Sequence, residues 1–63
     1  MKLGTFLEMY GNWNGKALIN DNSLNKIVQD RTINIYEQRK DLLERTVLTF
    51  DFYNGIIIIR ISD

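Results

Sequence analysis

Cysteine, histidine and proline are all missing from this sequence of 63 residues. Without Cys and His the chain forms no disulfides and lacks the strongest zinc ligands. A chain this short buries only about 60% of the surface that it exposes when unfolded, so a domain without such supports depends on tight packing or on self-association. We therefore expect a single domain over residues 1–63 that forms a homodimer.

An excess of charge of either sign is also missing, since eight basic and eight acidic side chains give a formal net charge of 0. Because phosphate neutralisation drives non-specific nucleic-acid binding, a neutral chain is not typical of that class. The longest purely apolar run, Ile56–Ile59, is far below the roughly 20 residues that span a bilayer, and the N-terminus has no signal-peptide pattern. We expect a cytoplasmic protein with no membrane partner.

The C-terminal third predicts a β-hairpin. Two β-rich runs, Val47–Tyr53 and Ile56–Ile61, are separated by Asn54 and Gly55 alone. Asn-Gly is the preferred pair for a type I′ turn, and a two-residue loop sets the register so that Tyr53 lies opposite Ile56. Six apolar side chains then share one face, which we expect to be the core side: Leu48, Phe50, Phe52, Ile57, Ile59 and Ile61.

The other face of this predicted hairpin is partly apolar as well. Asp51 and Arg60 are diagonal neighbours on it and can pair across the strands. Two interpretations stay open: the face is half solvated, or a second copy or another protein covers it. Its apolar members are Val47, Tyr53, Ile56 and Ile58.

Upstream, the spacing of apolar residues predicts a helix over Thr32–Arg45, with Thr32 as its N-cap. Its apolar side carries Ile35, Tyr36, Leu42 and Leu43. Charged residues four positions apart, Lys40 with Glu44 and Asp41 with Arg45, are expected to pair on its surface.

A second, shorter helix is predicted at the N-terminus, where Leu3, Phe6, Leu7 and Tyr10 share a helical face. A capping box of Thr5 and Glu8 would start it two residues later. Residues 16–20 read as a strand, and residues 25–29 as a returning strand or as a short helix capped by Ser23. The predicted fold is α+β: an antiparallel sheet of about four strands with one short and one longer helix, in α-β-β-α-β-β order.

Chemistry-bearing motifs are few. Glu37 and Asp41 lie one helical turn apart and could share a metal ion, and Asp21 could approach Asp30 across the first hairpin, but basic neighbours and turn positions favour solvated carboxylates. Neither a G-x-G-x-x-G motif nor a P-loop is present. We expect no catalytic residues, no metal site and no cofactor.

Trp13 lies in a polar loop bounded by glycines, with no apolar neighbour in sequence to bury it. It either packs in the core against Tyr10 or stands exposed as an anchor for a partner, because Trp and Tyr dominate interface energetics. The predicted partner-binding residues are therefore Tyr10, Trp13, Val47, Tyr53, Ile56 and Ile58.

Four basic residues fall within fifteen positions: Arg31, Arg39, Lys40 and Arg45. Acidic residues interleave with them and largely cancel their field. The four basic residues form a phosphate-binding patch only if the fold places the basic and acidic side chains on different surfaces.

Three stretches resemble small proteins encoded by prophages and conjugative elements of low-GC Gram-positive bacteria. They are Phe6–Tyr10 in the opening helix, Leu18–Asp21 at a strand end, and the closing hairpin. The resemblance covers most of the chain but rests on no diagnostic motif and implies no site residues. That group includes anti-CRISPR and other anti-defence inhibitors, which act by occupying a surface of a host protein.

Three functions are therefore considered. The leading one is a protein–protein interaction module, specifically an anti-defence inhibitor of a mobile element acting in the host cytoplasm. The alternative is a nucleic-acid-binding accessory protein that uses the four basic residues. The third is a minimal metal-dependent nuclease built on Asp21, Asp30 or Asp51.

Overall fold

A computed structural model describes residues 1–63. Its elements, in chain order, are helix α1 (Leu3–Tyr10), strands β1 (Lys16–Asn20) and β2 (Lys26–Arg31), helix α2 (Thr32–Gln38), and strands β3 (Val47–Tyr53) and β4 (Ile56–Ile61). The α+β class, the four strands and the α-β-β-α-β-β order are confirmed.

The sheet is mixed rather than purely antiparallel. Its strand order is β2-β1-β4-β3, with two antiparallel hairpins joined by a parallel pairing of β1 with β4. After β2 the chain crosses the sheet through α2 and residues 39–46 and enters β3 at the far edge, so β4 returns beside β1. Turn residues specify pairing within each hairpin, whereas the pairing between hairpins depends on how the helices pack.

The β3–β4 hairpin has the predicted turn and register. Asn54 and Gly55 have φ of 51° and 77°, as a type I′ turn requires, and Tyr53 pairs with Ile56. The register shifts between Val47 and Thr49, which is a β-bulge at Leu48. This bulge places Val47 opposite the buried Ile61 and against the core, so its predicted position on the outer face is wrong.

The β1–β2 hairpin closes through an Asx turn. The Asp21 carboxylate accepts hydrogen bonds from the N–H groups of Ser23 and Asn25, both at 2.9 Å. Leu24 takes a positive φ of 67° within this turn. Residues 26–31 form a strand, so the alternative of a helix capped by Ser23 is wrong.

Nine hydrophobic side chains form the core, and both helices lie on the same side of the sheet to cover it. Buried residues come from the helices, the central strands and the segment after α2: Leu3, Leu7, Ala17, Ile19, Ile35, Leu42, Ile57, Ile59 and Ile61. The edge strands β2 and β3 contribute none of these. Only half of the predicted core face of the C-terminal hairpin is therefore buried, because its β3 residues lie beyond the cover of the helices.

Helix α2 ends at Gln38, seven residues before the predicted end at Arg45, and is no longer than α1. The carbonyls of Leu43 and Arg45 accept hydrogen bonds from the N–H groups of Gly4 (2.9 Å) and Leu3 (2.8 Å). These carbonyls thus accept hydrogen bonds from the N-terminus of α1, where the first N–H groups have no partner within the helix. Residues 39–46 leave the helical path at Arg39, which has φ of −116° and ψ of 57°, and continue as turns with hydrogen bonds such as that from the Leu42 N–H to the Arg39 carbonyl.

The predicted surface pairs within that helix are also wrong. Glu44 pairs with Lys2 at 3.2 Å, and Asp41 pairs with Arg39 at 3.0 Å. Helix α1 begins at Leu3, so the later start from a capping box at Thr5 is wrong as well.

Thr32 is the first residue of α2 and not its N-cap. Its side chain is buried, and its hydroxyl donates a hydrogen bond of 2.6 Å to the Asn12 carbonyl. The N–H groups of Thr32 and Ile33 donate to the carbonyls of Gly15 and Trp13. The loop before β1 is thereby fastened to the start of α2.

The side of the sheet away from the helices is uncovered, and we call it the open face. Each strand contributes three side chains, which the pairing arranges in three rows across the sheet. The rows are Arg31, Lys16, Ile56 and Tyr53; then Gln29, Leu18, Ile58 and Asp51; then Lys26, Asn20, Arg60 and Thr49.

Candidate functional site

An exposed apolar groove lies between α1 and β3 on the helix side of the sheet. Its volume is about 720 Å3, and nine of its ten lining residues are hydrophobic. We call it the α1–β3 groove and define it by these residues: Met1, Phe6, Met9, Tyr10, Val47, Leu48, Thr49, Phe50, Phe52 and Ile57. Contiguous apolar surface of this kind on a small domain typically marks a contact with another molecule.

Aromatic contacts hold the groove in its shape. The ring of Phe50 lies 5.1 Å from that of Phe6 and 6.3 Å from that of Phe52. The ring of Tyr10 lies 6.2 Å from that of Phe52. These centroid distances are within the range at which aromatic pairs attract each other, so helix and strand fix each other's side chains before any partner arrives.

The large apolar side chains that line this groove are unusually exposed. Phe50 and Phe52 are 54% and 56% exposed, and Met9 is 71% exposed. The cause is topological: β3 is an edge strand, and α1 covers only the inner border of it. Hydrophobic alternation alone predicted burial for this face, because the pattern does not reveal which strand lies at the edge.

The free edge of β3 adds backbone groups to this apolar surface. The turn hydrogen bond joins the Tyr53 carbonyl to the Ile56 N–H, and in an antiparallel pair the bonded residues alternate along the strand. Phe50 and Phe52 therefore direct their N–H and C=O groups away from β4. The Phe52 N–H is held by the Asp51 carboxylate at 2.7 Å, whereas the Phe50 N–H has no partner within the chain.

The predicted partner-binding residues do not form one surface. Tyr10 and Val47 line the α1–β3 groove, while Tyr53, Ile56 and Ile58 lie on the open face. Ile56 and Ile58 are half buried among the neighbouring strands, and Tyr53 is exposed. Phe6, Met9, Phe50 and Phe52 were not among the predicted partner-binding residues. Phe50 and Phe52 were expected in the core, and the available signal for Met9 was an apolar residue off the predicted apolar face of α1.

Trp13 belongs to neither surface. It is half buried against the core, and its ring packs edge-on against Tyr36 of α2 at 5.0 Å, rather than against Tyr10. The Tyr36 hydroxyl donates a hydrogen bond to the Glu8 carboxylate, and this bond raises the pKa of Tyr36 above its ordinary value. Trp13 thus helps to join the loop, α1 and α2.

The predicted basic cluster is dispersed and partly neutralised. Arg39 binds Asp41 through two hydrogen bonds of 3.0 and 3.1 Å, which lower the pKa of Asp41. Arg45 donates to the Ser62 carbonyl at 2.6 Å and lies 3.9 Å from Asp63. Lys40 is exposed in the turn segment, and Arg31 alone of the four lies on the open face.

The acidic residues considered for metal binding have separate structural roles. Asp21 closes the β1–β2 turn, and its pKa is lowered chiefly by the hydrogen bond from the Asn25 N–H. Asp30 accepts a hydrogen bond of 2.9 Å from the Asn34 amide, which lowers the pKa of Asp30. Asp51 lies on the open face, and no group of three or more acidic side chains converges as a metal site would require.

No helix in the structure has the length and apolarity needed to cross a bilayer. Comparison of the chain with protein-family models, curated proteins and solved structures gives no significant match. The two candidate binding surfaces of the molecule are the α1–β3 groove and the open face.

Proposed function

We propose that this chain is a protein-interaction domain, not an enzyme, and that a second protein chain binds along β3 and fills the α1–β3 groove. The observation that supports this most is the edge of β3 beyond Val47, where the exposed rings of Phe50 and Phe52 lie beside a Phe50 N–H that points away from the sheet; at Val47 itself the edge is closed by a hydrogen bond of 2.7 Å from its N–H to the Met1 carbonyl. Strand addition at a sheet edge draws affinity from backbone hydrogen bonds and specificity from adjacent side-chain pockets.

The occupant that the surface fits is a second copy of the chain. Antiparallel pairing of two β3 strands about Phe50 sets each Leu48 opposite Phe52 of the partner subunit, so apolar side chains meet apolar side chains. On the other face Asp51 lies opposite Thr49 of the partner subunit, and no like charges meet. A symmetric interface requires this kind of self-complementarity.

The area available is sufficient for a dimer. A buried aromatic side chain covers about 150–250 Å2, and Phe50 and Phe52 have roughly half of that still exposed. With Met1, Met9 and Leu48, the apolar side chains supply roughly 500 Å2 per subunit, near 1,000 Å2 in total before the strand backbone is added, at the lower end of specific interfaces. Dimerisation would also support a domain in which only ten residues are buried.

The test is sedimentation equilibrium of wild-type protein, Phe50→Gln and Tyr53→Ala from about 1 µM to 1 mM. We expect a wild-type dimer, and Phe50→Gln should weaken association at least tenfold because the symmetric interface loses two buried rings. Tyr53→Ala removes an exposed ring from the same strand on the open face, and should leave the dimer intact. A wild-type monomer throughout, or a Phe50→Gln dimer as tight as wild type, would show that the proposal is wrong.

The resemblance adds a role to this proposal, namely inhibition of a host defence protein in the bacterial cytoplasm. It is tested by affinity capture from a nuclease-treated lysate of a low-GC Gram-positive bacterium. We expect one stoichiometric host protein, retained by wild type and lost in one of the surface variants, Phe50→Gln or Tyr53→Ala. Recovery of no protein, or of one that both variants retain equally, would remove the inhibitor role from these surfaces.

A further inference from the structure

The open face gathers the basic residues of this neutral chain. Four of its positions are cationic, and Asp51 is the only acidic residue among its rows, although Asp30 of β2 lines a surface depression together with Lys16, Lys26 and Arg31. The other four basic residues and seven acidic residues lie outside this face, so the charge is +3 on the open face and −3 elsewhere. The cations of the open face are Lys16, Lys26, Arg31 and Arg60.

These four cations are also free of ion pairs. The three salt bridges of the structure use Lys2, Arg39 and Arg45, which all lie off the open face. Lys40 is the one other unpaired cation. The fold therefore neutralises most basic side chains elsewhere and leaves those of the open face available to an anionic ligand.

Arg60 supplies an independent observation. It lies in the third row of the open face, between Asn20 and Thr49. Its Nε is buried and has no hydrogen-bond partner. Because this Nε is not exposed, an anionic ligand would contact the terminal amino groups of the guanidinium, which make no ion pair within the chain. Asp51, although diagonal to Arg60, does not pair with it and instead accepts the N–H of Phe52.

The middle of the open face is apolar. Leu18, Ile56 and Ile58 lie between the cations, and Tyr53 at the β3 corner is 68% exposed. With strands about 4.8 Å apart and successive rows about 6.8 Å apart, the face measures roughly 14 by 13 Å. In RNA-binding modules built on a four-stranded sheet, several aromatic side chains of the open face stack two or three bases, and the open face here offers one such ring, Tyr53.

We infer that the open face binds single-stranded nucleic acid. The four cations contact phosphates, and Tyr53 stacks on a base while the strand crosses the apolar centre. This site differs from the basic cluster expected from the sequence, with which it shares only Arg31. It lies on the opposite side of the sheet from the α1–β3 groove and does not depend on the protein-binding proposal.

The experiment is fluorescence anisotropy with labelled oligo-dT and oligo-U of about 12 nucleotides, a length within the usual range of site sizes. Between about 50 and 200 mM salt we expect a log–log slope of about −2 to −3, which corresponds to three or four phosphate contacts on a single strand. The two oligonucleotides distinguish DNA from RNA as the preferred source of the strand.

Matched variants locate the site. The double variant Lys16→Gln with Arg31→Gln should bind at least tenfold more weakly, with a slope reduced by about 1 to 1.5. The control, Arg39→Gln with Lys40→Gln, loses the same charge on the other side of the molecule and should bind within about twofold of wild type. Tyr53→Ala should weaken binding by about tenfold at unchanged slope, because stacking involves no counterion release.

Three outcomes of the nucleic-acid measurements would overturn the inference. They are the absence of binding at about 50 mM salt, equal losses in the two double variants, or equal affinity for a duplex of the same length. Equal affinity for a polyglutamate peptide would also overturn it, since the face would then recognise an acidic protein segment.

Discussion

Thr32 is the only polar side chain that the core buries, and it acts through its hydroxyl. The hydrogen bond from this hydroxyl to the Asn12 carbonyl joins the loop before β1 to the first turn of α2. The same carbonyl also accepts the Gly15 N–H at 3.2 Å, so removal of the hydroxyl loses one hydrogen bond without leaving the acceptor unpaired.

Thr32→Val should therefore lower the free energy of unfolding by about 0.5–1.5 kcal/mol, the usual net contribution of one hydrogen bond, because the Asn12 carbonyl keeps the Gly15 N–H as a donor. The measurement is a urea unfolding midpoint. Thr32→Ser keeps the donor and loses only a methyl group, so it should be the more stable of the two variants. A Val variant as stable as wild type would show that the hydrogen bond contributes nothing.

Asp21 makes stability depend on pH. Hydrogen bonds from backbone N–H groups, that of Asn25 first, hold the pKa of Asp21 below its ordinary value of 3.8. A carboxyl whose pKa is lowered by folding contributes stability above its unfolded pKa and loses it as the pH falls through the folded pKa. Asp30 and Asp41 have pKa values shifted in the same direction.

We accordingly expect unfolding midpoints in urea that are flat from neutral pH down to about pH 4 and that fall steadily at lower pH. In Asp21→Asn the fall should be smaller, because one of the three linked carboxyls is gone. A variant that declines as steeply as wild type would contradict the assignment to Asp21.

At the scale of elements, local signals were sufficient wherever a turn residue decided the structure. Asn54 and Gly55 determine a hairpin by their own backbone preferences, so strand bounds and register were predictable. The early end of α2 was not, because residues 39–46 form turns whose carbonyls at Leu43 and Arg45 bond α1, a contact some forty residues away in sequence that no local pattern shows. Helical periodicity still indicated correctly that Leu42 is buried.

Leu42 allows a test of whether residues 39–46 pack against the core. Although it lies in a turn segment and not in a helix, its side chain is 1% exposed within the core. Leu42→Ala should lower the free energy of unfolding by about 2–5 kcal/mol, whereas Leu24→Ala, at an exposed turn position, should change it by less than about 0.5 kcal/mol. Equal effects from the two variants would mean that residues 39–46 do not pack as described.

The candidate surfaces were likewise predictable only where a local sequence pattern determines them, and not where long-range packing does. Period-two alternation showed correctly which β3 and β4 residues share a face, but not that β3 lies at the edge with its rings exposed. The basic residues of the open face come from β1, β2 and β4, and Arg31 alone belonged to the cluster visible in sequence. The parallel β1–β4 pairing brings these strands together, and it is set by packing over long sequence distances.

For the whole molecule, the two faces of the sheet have different properties. The helix side carries the core and the α1–β3 groove, and the open face carries unpaired cations around an apolar centre. In a dimer paired through β3 about Phe50, the two sheets become one, with both open faces on the same side. The central claim is this strand pairing, because the protein-interaction function depends on it.

Amide hydrogen exchange at Phe50 tests that claim most directly, since its N–H lies on the free edge of β3 and has no partner within the chain. Measured by NMR in dilute and concentrated samples, the Phe50 amide should exchange quickly when the protein is dilute and slow down as the dimer forms. Amides in the β3–β4 pairing should be protected at both concentrations. A Phe50 amide that exchanges equally fast in both samples would contradict the pairing of β3 with a second copy.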